Sequence, residues 1–485
     1  MVESLLLSLP KRPDILAVQM GASFILLVLL AGVMFLVPPM HVAVTVALIL
    51  TVLYFFTRPM FALFSVFCAR AILDLLWWIP GTIAGLNMLQ LFSAAVFVLV
   101  ATQLFLDLKR AQRHPCFQLA LVYMLLIAMG ALRSKNLLGN IDNVVRYTVP
   151  IILFFMVSIH FDSRKLRKSL LFIVAAIGII PLLLSLYHMG SGQMNQFTLH
   201  GYTRLLGAYK NLHNMALMTL FFVTIWTFWF LYVKSRLKRI VLLILMVLGT
   251  IALYKSYIRT GVLGLVVFMG CIPLLQGRYR VLAGAAGAAA LMITFSPEIQ
   301  DRFSDLLLVF DSDNIMLDKR ALGSGRWGIW TMSMKEFLDR PTYEIILGPG
   351  LGEHRVMTMD WVKMFHKNIV ELDPHNDMLL LLYQIGPIGV GVYLAMQWKV
   401  FSIARKMWKM PEADRFAKTL AIYTAAMTVM VFTANIVSNS FIHRTSPGWY
   451  YWCIAGLMIA EYASLRRAQQ RAPGKLAEVS QPASV

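Results

Sequence analysis

Apolar stretches of roughly 17 to 25 residues, each long enough for a helix to cross the hydrocarbon layer of a membrane, recur along the 485-residue chain. A soluble protein has no aqueous face for so much apolar surface. The composition agrees, because hydrophobic residues make up 59% of the chain and charged residues only 14%. The sequence therefore predicts an all-α polytopic membrane protein.

The apolar stretches predict about 12 to 14 transmembrane helices. They begin near Asp14, Pro39, Pro59, Ala84, Pro115, Asn143, Lys168, Asn214, Arg239, Gly261, Arg280, Asp377, Phe416 and Gly448. The first stretch is longer than the core of a secretory signal and is followed by Pro38-Pro39 instead of a small-residue cleavage site. We expect it to be retained as the first span.

Basic residues cluster in alternate connections, as the positive-inside rule requires when the amino terminus is cytoplasmic. The clusters are Lys109/Arg110/Arg113, Arg164/Lys165/Arg167/Lys168, Lys234/Arg236/Lys238/Arg239, Arg278/Arg280, Arg405/Lys406/Lys409/Arg415 and Arg466/Arg467/Arg471/Lys475. These anchors account for the net charge of +20 without a nucleic-acid partner. Both termini are expected in the cytoplasm of a bacterial cell, with the protein in its inner membrane.

This orientation divides the chain into four parts. Residues 1–296 hold transmembrane helices 1–11, residues 297–376 form one long periplasmic loop, residues 377–465 hold the C-terminal helices and residues 466–485 form a cytoplasmic tail. The tail after Arg471 is expected to be disordered. The long loop, at about 80 residues, far exceeds ordinary connections, and loops of that length usually carry function.

Two features of the long loop predict local structure. Trp327, Trp330, Met334 and Phe337 recur at helical spacing, which predicts a short helix. That helix either lies along the membrane surface or packs as a cover over the bundle. The glycine-rich run 348–352 predicts a turn and matches no complete phosphate-binding fingerprint.

Three arginines, Arg204, Arg259 and Arg326, stand beside apolar sequence on the outer side, where the positive-inside rule gives no reason for a cation. A guanidinium binds phosphate through two parallel hydrogen bonds and keeps its charge, so a diphosphate ligand suits all three. Lys255 lies one helical turn before Arg259 at the same membrane edge and is a candidate substrate-binding cation. The alternative is that these side chains reach out to lipid headgroups.

Arg70 and Asp74 are one helical turn apart within the third apolar stretch. A charge there is costly unless it is paired or faces a polar cavity. The spacing favours an intrahelical ion pair over a functional role.

His375 stands where the long polar loop meets an apolar helix. An imidazole exchanges protons near neutral pH, and a base at a membrane mouth can serve a lipid-borne donor and a water-borne acceptor. Glu371 or Asp373 could orient its ring, and Asn376 adjoins it. His375 is the predicted catalytic base.

These residues resemble motifs of the O-antigen ligase and Wzy-type polysaccharide polymerase superfamily. His375-Asn376, nine residues, then Gly386-x-x-Gly389 is similar to the ligase signature. Three further elements resemble the family in the same order: Arg204-x-x-Gly207 with Asn211 and Asn214, Ile258-Arg259-Thr-Gly261, and Gly325-Arg326-x-x-Ile329-Trp330 followed by the glycine run 348–352. Leu212-His213-Asn214 departs from the family's Pro-Asn, and Ile258 replaces a common serine.

The resemblance implies a GT-C-like glycosyltransferase whose donor is a glycan on undecaprenyl diphosphate, acting without a metal ion or other cofactor. Arg204 and Arg259 would then stabilise the leaving diphosphate, and His375 would activate the acceptor hydroxyl. Arg326 would contact the diphosphate or steady the loop. Arg326, Asn376, Asn214 and Lys255 are the expected substrate-binding residues. Membrane lipids and a chain-length regulator are candidate partners.

The resemblance leaves the acceptor open. A polymerase extends another lipid-linked glycan, whereas a ligase transfers the finished glycan to lipid A core, and both use the same residues. The extra N-terminal spans and the sequence Tyr257-Ile-Arg259-Thr-Gly261 favour a polymerase for O-antigen or exopolysaccharide. A transporter of lipid-linked sugars is the remaining alternative, but ionisable residues gathered at one face are not typical of one.

Overall fold

The computed structural model describes residues 59–75, 82–83, 86–192, 196–199, 202–284, 287, 326–353, 374–442 and 445–479. The spans predicted to begin near Asp14 and Pro39 lie outside these residues, as does most of the one predicted near Arg280. Elements are numbered in chain order over the described residues only.

Helices dominate the described part of the chain. They are α1 (Pro59–Leu75), α2 (Met88–Leu106), α3 (Leu108–Ala111), α4 (Phe117–Leu132), α5 (Ile141–His160), α6 (Arg164–Ile177), α7 (Ile179–Ser191), α8 (Leu212–Tyr232), α9 (Arg236–Lys255), α10 (Arg259–Leu275), α11 (Arg326–Leu338), α12 (Thr342–Leu347), α13 (Asp377–Lys409), α14 (Arg415–Val437) and α15 (Thr445–Val479). A short 3-10 helix, Leu138–Asn140, precedes α5.

Two small hairpins interrupt this helical pattern. Strand β1 (Thr82–Ile83) pairs with β2 (Leu86–Asn87), and β3 (Gln196–Leu199) pairs with β4 (Tyr202–Leu205), both antiparallel. Aromatic and β-branched residues flank a two-residue connection in the second hairpin, which is the ordinary signature of this structure. The described part of the chain is therefore predominantly helical, as the sequence predicted, with two short hairpins added.

Membrane-spanning helices are confirmed. Seven helical segments of the described chain are long and apolar enough to cross a membrane, and α4 and α10 are shorter apolar helices. One of the seven runs through α6 and α7 together, as residues 164–191. The chain is a multi-pass α-helical membrane protein.

The bundle has buried and peripheral helices. In α8, 78% of the most apolar window is buried inside the protein, against 22% in α9. Small residues permit close packing, since a Cβ on Gly249 of α9 would lie 2.7 Å from a Val223 side-chain carbon of α8. The Trp226 indole donates a 2.9 Å hydrogen bond to the Ala175 carbonyl, so the large polar ring is satisfied within the core.

Contacts between helix ends define two faces. On the first, called the basic face, Arg164 bonds Asp414 at 2.8 Å, Arg167 bonds the buried Glu461 at 2.8 Å, and Arg415 donates to the Leu231 carbonyl. These residues belong to connections whose basic clusters were predicted to share one side. The structure therefore places together the connections that these contacts join.

The opposite face, called the hairpin face, carries β3 and β4. Here Arg133 donates to the Leu347 carbonyl at 2.5 Å, which ties the end of α4 to α12. Arg326 and the start of α13 lie on the same face, as described below. The loop residues and the hairpin therefore cover one end of the bundle.

The predicted pair of Arg70 and Asp74 is confirmed. Their side chains approach to 3.7 Å within α1, and both are buried. Arg70 also donates to Ser446 at 2.9 Å and to Ser93 at 3.1 Å, so it joins α1 to α15 and α2. The pair holds helices together at the interior of the bundle.

The last helix extends further than the predicted boundary at residue 465. Helix α15 continues to Val479, so the chain beyond Arg471 is helical where the sequence predicted disorder. Pro473 and Gly474 are residues that usually end a helix. The alanines, glutamines and charged residues around them are good helix formers and favour a helix on either side of these two residues.

Helix α13 is kinked where another segment crosses it. Gly386 has φ 70° and ψ 177° inside the helix, a conformation open to glycine alone. A Cβ there would lie 2.1 Å from the Ile346 carbonyl oxygen, and a Cβ on Gly348 would lie 2.6 Å from the Gly386 nitrogen. The two backbones touch, so the glycine run 348–352 is a crossing point.

On its other side, the glycine run contacts α4. Leu351 donates a backbone hydrogen bond of 2.9 Å to Gly130 of α4, and a Cβ on Gly130 would lie 2.8 Å from the Gln384 carbonyl oxygen. Gly350 and Gly352 both have positive φ, which confirms the predicted turn. The run passes between α4 and the kink of α13 and anchors the loop.

We predict that Gly386→Ala destabilises the protein by about 1–3 kcal/mol, because a side chain cannot adopt this backbone conformation without strain. The matched control is Gly391→Ala in the same helix, where a Cβ would meet no atom within 4 Å. Alanine there should be neutral or slightly stabilising. Thermal melting of the purified protein in detergent measures both, and equal melting temperatures for the two variants would contradict the crossing.

Candidate functional site

Arg204 lies in β4 of the second hairpin. It is opposite Phe197 of β3 and is buried, with 7% of its surface exposed. Three residues later Gly207 has φ 59°, and a Cβ there would lie 2.5 Å from the Ser185 hydroxyl of α7. The Arg-x-x-Gly spacing therefore lets the hairpin close down on α7 and present Arg204 to the bundle.

Arg259 is the first residue of α10, after a turn of three residues from the end of α9. Tyr257 within that turn has φ 52°, which is unusual for a bulky residue. The buried Ser256 hydroxyl donates to the Leu253 carbonyl at 2.6 Å and holds the turn. A Cβ on Gly261 would lie 2.7 Å from a Leu253 side-chain carbon, so this glycine lets α10 pack closely beside α9.

Arg326 is the first residue of α11. Its guanidinium donates a hydrogen bond of 2.6 Å to the Val437 carbonyl at the end of α14. A cation at a helix C-terminus is favoured by the partial negative charge of the unpaired carbonyls. This contact attaches the loop helix to the transmembrane bundle at one defined point.

Arg259 lies near both of the other predicted arginines. Burial, and then the positive charge of Arg259, lower the pKa of Arg204. The same two causes, in the same order, lower the pKa of Arg326. Arg259 is therefore within electrostatic reach of both other arginines, although they come from distant parts of the sequence.

Two of these three arginines have no carboxylate partner in the described part of the chain. Neither Arg204 nor Arg326 forms an ion pair with a carboxylate among the described residues. The Nε atom of Arg204 is buried and has no hydrogen-bond partner in that part of the chain. Like charges held together in a partly buried place are unfavourable by themselves and become favourable when an anion binds between them.

His375 lies beside α11 on the short segment before α13. Its φ is 49°, a left-handed conformation uncommon for residues other than glycine. The Pro374 carbonyl accepts a hydrogen bond of 2.8 Å from the Trp330 indole. Arg326 and Trp330 are one turn apart and share a face of α11, so that helix brings Arg326 and His375 into one neighbourhood. Glu371 and Asp373, the predicted partners of its ring, lie outside the described residues.

Asn376 has a structural role that its predicted role did not include. Its side-chain oxygen caps α13 by accepting from the backbone N–H groups of Met378, at 2.9 Å, and Leu379, at 3.1 Å. An asparagine in this position satisfies two otherwise unpaired donors of the helix. Its oxygen is thus engaged with the backbone, and only the amide nitrogen remains for a ligand.

Lys255 and Asn214, the other two predicted binding residues, also lie on the hairpin face. Lys255 is exposed at the end of α9, with its Nζ 5.8 Å from the centre of the Tyr254 ring. Asn214 is half-buried in the first turn of α8, whose N-cap is Asn211.

Sequence reasoning missed Asp377 and the loop 438–442. The Asp377 carboxylate is fully buried and accepts from the backbone N–H groups of Ser440, at 2.7 Å, and Ile442, at 3.1 Å. The signal was present as Ser438-Asn439-Ser440, three polar residues between two apolar spans, all of them buried. Buried backbone N–H groups require partners, and the carboxylate provides them for Ser440 and Ile442.

The assembled site combines three clustered cations with an imidazole at the end of a membrane bundle. The guanidinium groups can bind a diphosphate, and the imidazole can accept a proton from a bound hydroxyl. The comparisons with known proteins add no relative: the sequence matches no family model, and no curated protein matches it.

Proposed function

We propose that this protein is a membrane glycosyltransferase that moves a glycan from a polyprenyl diphosphate carrier to a sugar hydroxyl, and that it is a polysaccharide polymerase. The observation that supports this most directly is the clustering of Arg204, Arg259 and Arg326 beside the segment that bears His375. A lipid-linked diphosphate would reach this site from the bilayer, and a sugar acceptor would reach it from water. The hairpin face would then be periplasmic, with the basic face in the cytoplasm.

The reaction assigns a role to each group. The acceptor hydroxyl oxygen forms a bond to the anomeric carbon of the donor sugar while the bond from that carbon to the diphosphate oxygen breaks. The hydroxyl proton passes to the imidazole of His375. Negative charge develops on the departing diphosphate, and the three guanidinium groups are already in place to stabilise it.

We predict that His375→Gln lowers the turnover number by about 100- to 10,000-fold, the usual contribution of a positioned base. Arg259→Lys should cost a comparable factor, because an ammonium keeps the charge but loses the paired hydrogen bonds to phosphate. The assay is glycan transfer by the purified protein in nanodiscs, with an undecaprenyl diphosphate-linked oligosaccharide.

Arg340→Lys is the matched control for this experiment. Arg340 lies on the same face but pairs with Glu344 at 3.2 Å. Its conservative replacement should leave turnover within a factor of two or so, as a partly exposed ion pair contributes little. Near-normal turnover in His375→Gln or Arg259→Lys, with the protein folded in the membrane, would exclude the proposed roles.

Trp330 is a positioning residue in this scheme. We predict that Trp330→Phe, which removes the bond to the Pro374 carbonyl but keeps an aromatic ring, lowers kcat by about 3- to 10-fold, the equivalent of one hydrogen bond. The KM for the donor should stay unchanged, because the arginines are untouched. A rise in KM with unchanged kcat would mean that Trp330 serves the donor and not His375.

The identity of the acceptor can be tested separately from the mechanism. We predict chain elongation when the lipid-linked donor is the only glycan supplied, with EDTA present throughout. Transfer that begins only when lipid A core is added would identify a ligase. The absence of product with either acceptor, when transport of the same donor is detected in vesicles, would favour a transporter.

A further inference from the structure

The basic face contains a large cavity that the proposed reaction does not use. Its volume is about 720 Å³, and it lies between the ends of α8, α9, α10, α13 and α14. A cavity of this size can enclose a substantial ligand or headgroup. It lies at the opposite end of the bundle from Arg204, Arg259 and Arg326.

The charge of the cavity is one-sided. Among the described residues, four cations line it and no acidic residue does; the cations are Arg239, Arg278, Arg415 and Lys418. The nearest acidic residue in sequence, Asp414, is already engaged, since it bonds Arg164 at 2.8 Å and caps the first turn of α14 through the Ala417 N–H. The lining therefore favours an anionic ligand.

Two of these cations are held in place by the backbone. Arg239 donates from Nε to the Val233 carbonyl at 2.9 Å, and Arg415 donates from Nη2 to the carbonyls of Leu231 and Val233 at 2.8 and 3.3 Å. These carbonyls end α8, where cations are favoured. Each guanidinium has further N–H groups that can bind phosphate, so the site is arranged before a ligand arrives.

Most of the remaining lining is apolar or aromatic, and Gln276 and Thr419 complete it. Phe230, Leu231, Trp408 and Ile422 form walls beside the cations. A soluble phosphate compound would leave these walls in contact with water, whereas a phospholipid brings an anionic phosphate together with apolar chains. Basic pockets between the cytoplasmic ends of membrane helices bind anionic lipid headgroups in this way.

We propose that this cavity binds the phosphate headgroup of an anionic phospholipid. Four cations are enough to balance the two phosphates of cardiolipin or one phosphatidylglycerol with charge to spare. The bound lipid would join the ends of the helices whose other ends carry Arg259 and His375. The proposal does not depend on the glycosyltransferase activity.

The test uses the full-length protein in detergent, titrated with cardiolipin and with phosphatidylcholine and observed by native mass spectrometry. The double variant Arg278→Gln/Lys418→Gln removes two cations of the cavity for which the described residues give no side-chain hydrogen bond or ion pair. We expect its affinity for cardiolipin to fall about thirtyfold, from the contribution of two basic residues near an anionic headgroup. Affinity for phosphatidylcholine should not change.

The control is Lys109→Gln/Arg113→Gln, which removes the same charge from another connection with exposed side chains. Its cardiolipin affinity should stay within about twofold of wild type, because screening limits the effect of distant surface charges. Arg278→Gln alone, expected to lose about fivefold, replaces the double variant if that variant melts early. Equal losses in the cavity and control variants would overturn the site.

A second arm separates lipid from soluble phosphate. Inorganic pyrophosphate at millimolar concentration should leave the bound cardiolipin in place and should not raise the melting temperature. Displacement of cardiolipin, with stabilisation by pyrophosphate that the cavity variant loses, would overturn the lipid and assign the cavity to a soluble phosphate compound.

Discussion

The arrangement at the hairpin face depends on the buried carboxylate of Asp377. It lies at the first position of α13 and accepts two backbone hydrogen bonds from the loop after α14. A carboxylate is favoured at a helix N-terminus, and charge-assisted bonds to N–H groups are stronger than neutral ones. The loop that follows Val437 is thereby fixed beside the segment that bears His375, and Val437 is the residue whose carbonyl holds Arg326. Asp377 thus links the segment that bears His375 to the helix end that binds Arg326.

The backbone is strained at His375 and close to Arg259, two residues of the candidate site. His375 and Tyr257 are the residues other than glycine with positive φ in the described chain, and Tyr257 is two positions before Arg259. Each such conformation costs of order 1–3 kcal/mol and persists only when neighbouring contacts fix it. At His375 those contacts are the cap by Asn376 and the bond from Trp330 to Pro374. The strain is consistent with a site whose geometry is fixed before substrate binds.

The sequence predicted the parts of this molecule that are encoded locally. Apolar length predicts the transmembrane helices, and charge at an apolar junction indicated Arg259 and His375. The contacts made by the glycine run 348–352 were not predictable, because its role is a backbone crossing with Gly386 and Gly130, and such a contact leaves no periodic pattern. The residue type of Asn376 is typical of a helix N-cap. Because Asn376 adjoins His375, the sequence analysis assigned it to substrate binding instead. For the arginines, the sequence predicted only that they lie on the same side of the membrane. Positions along the chain do not reveal the distance between α10 and α11.

Buried arginines at the two faces differ in their partners. At the basic face, Arg164 and Arg167 meet the buried carboxylate of Glu461, which joins α6 to α15. Breaking a buried pair of this kind leaves an uncompensated charge, so these helix ends are held firmly. At the hairpin face, Arg204 and Arg326 have no carboxylate among the described residues, and their charge instead remains available to an anion. Because Arg259 lies within electrostatic reach of both, repulsion between these like charges favours the binding of an anion at this face.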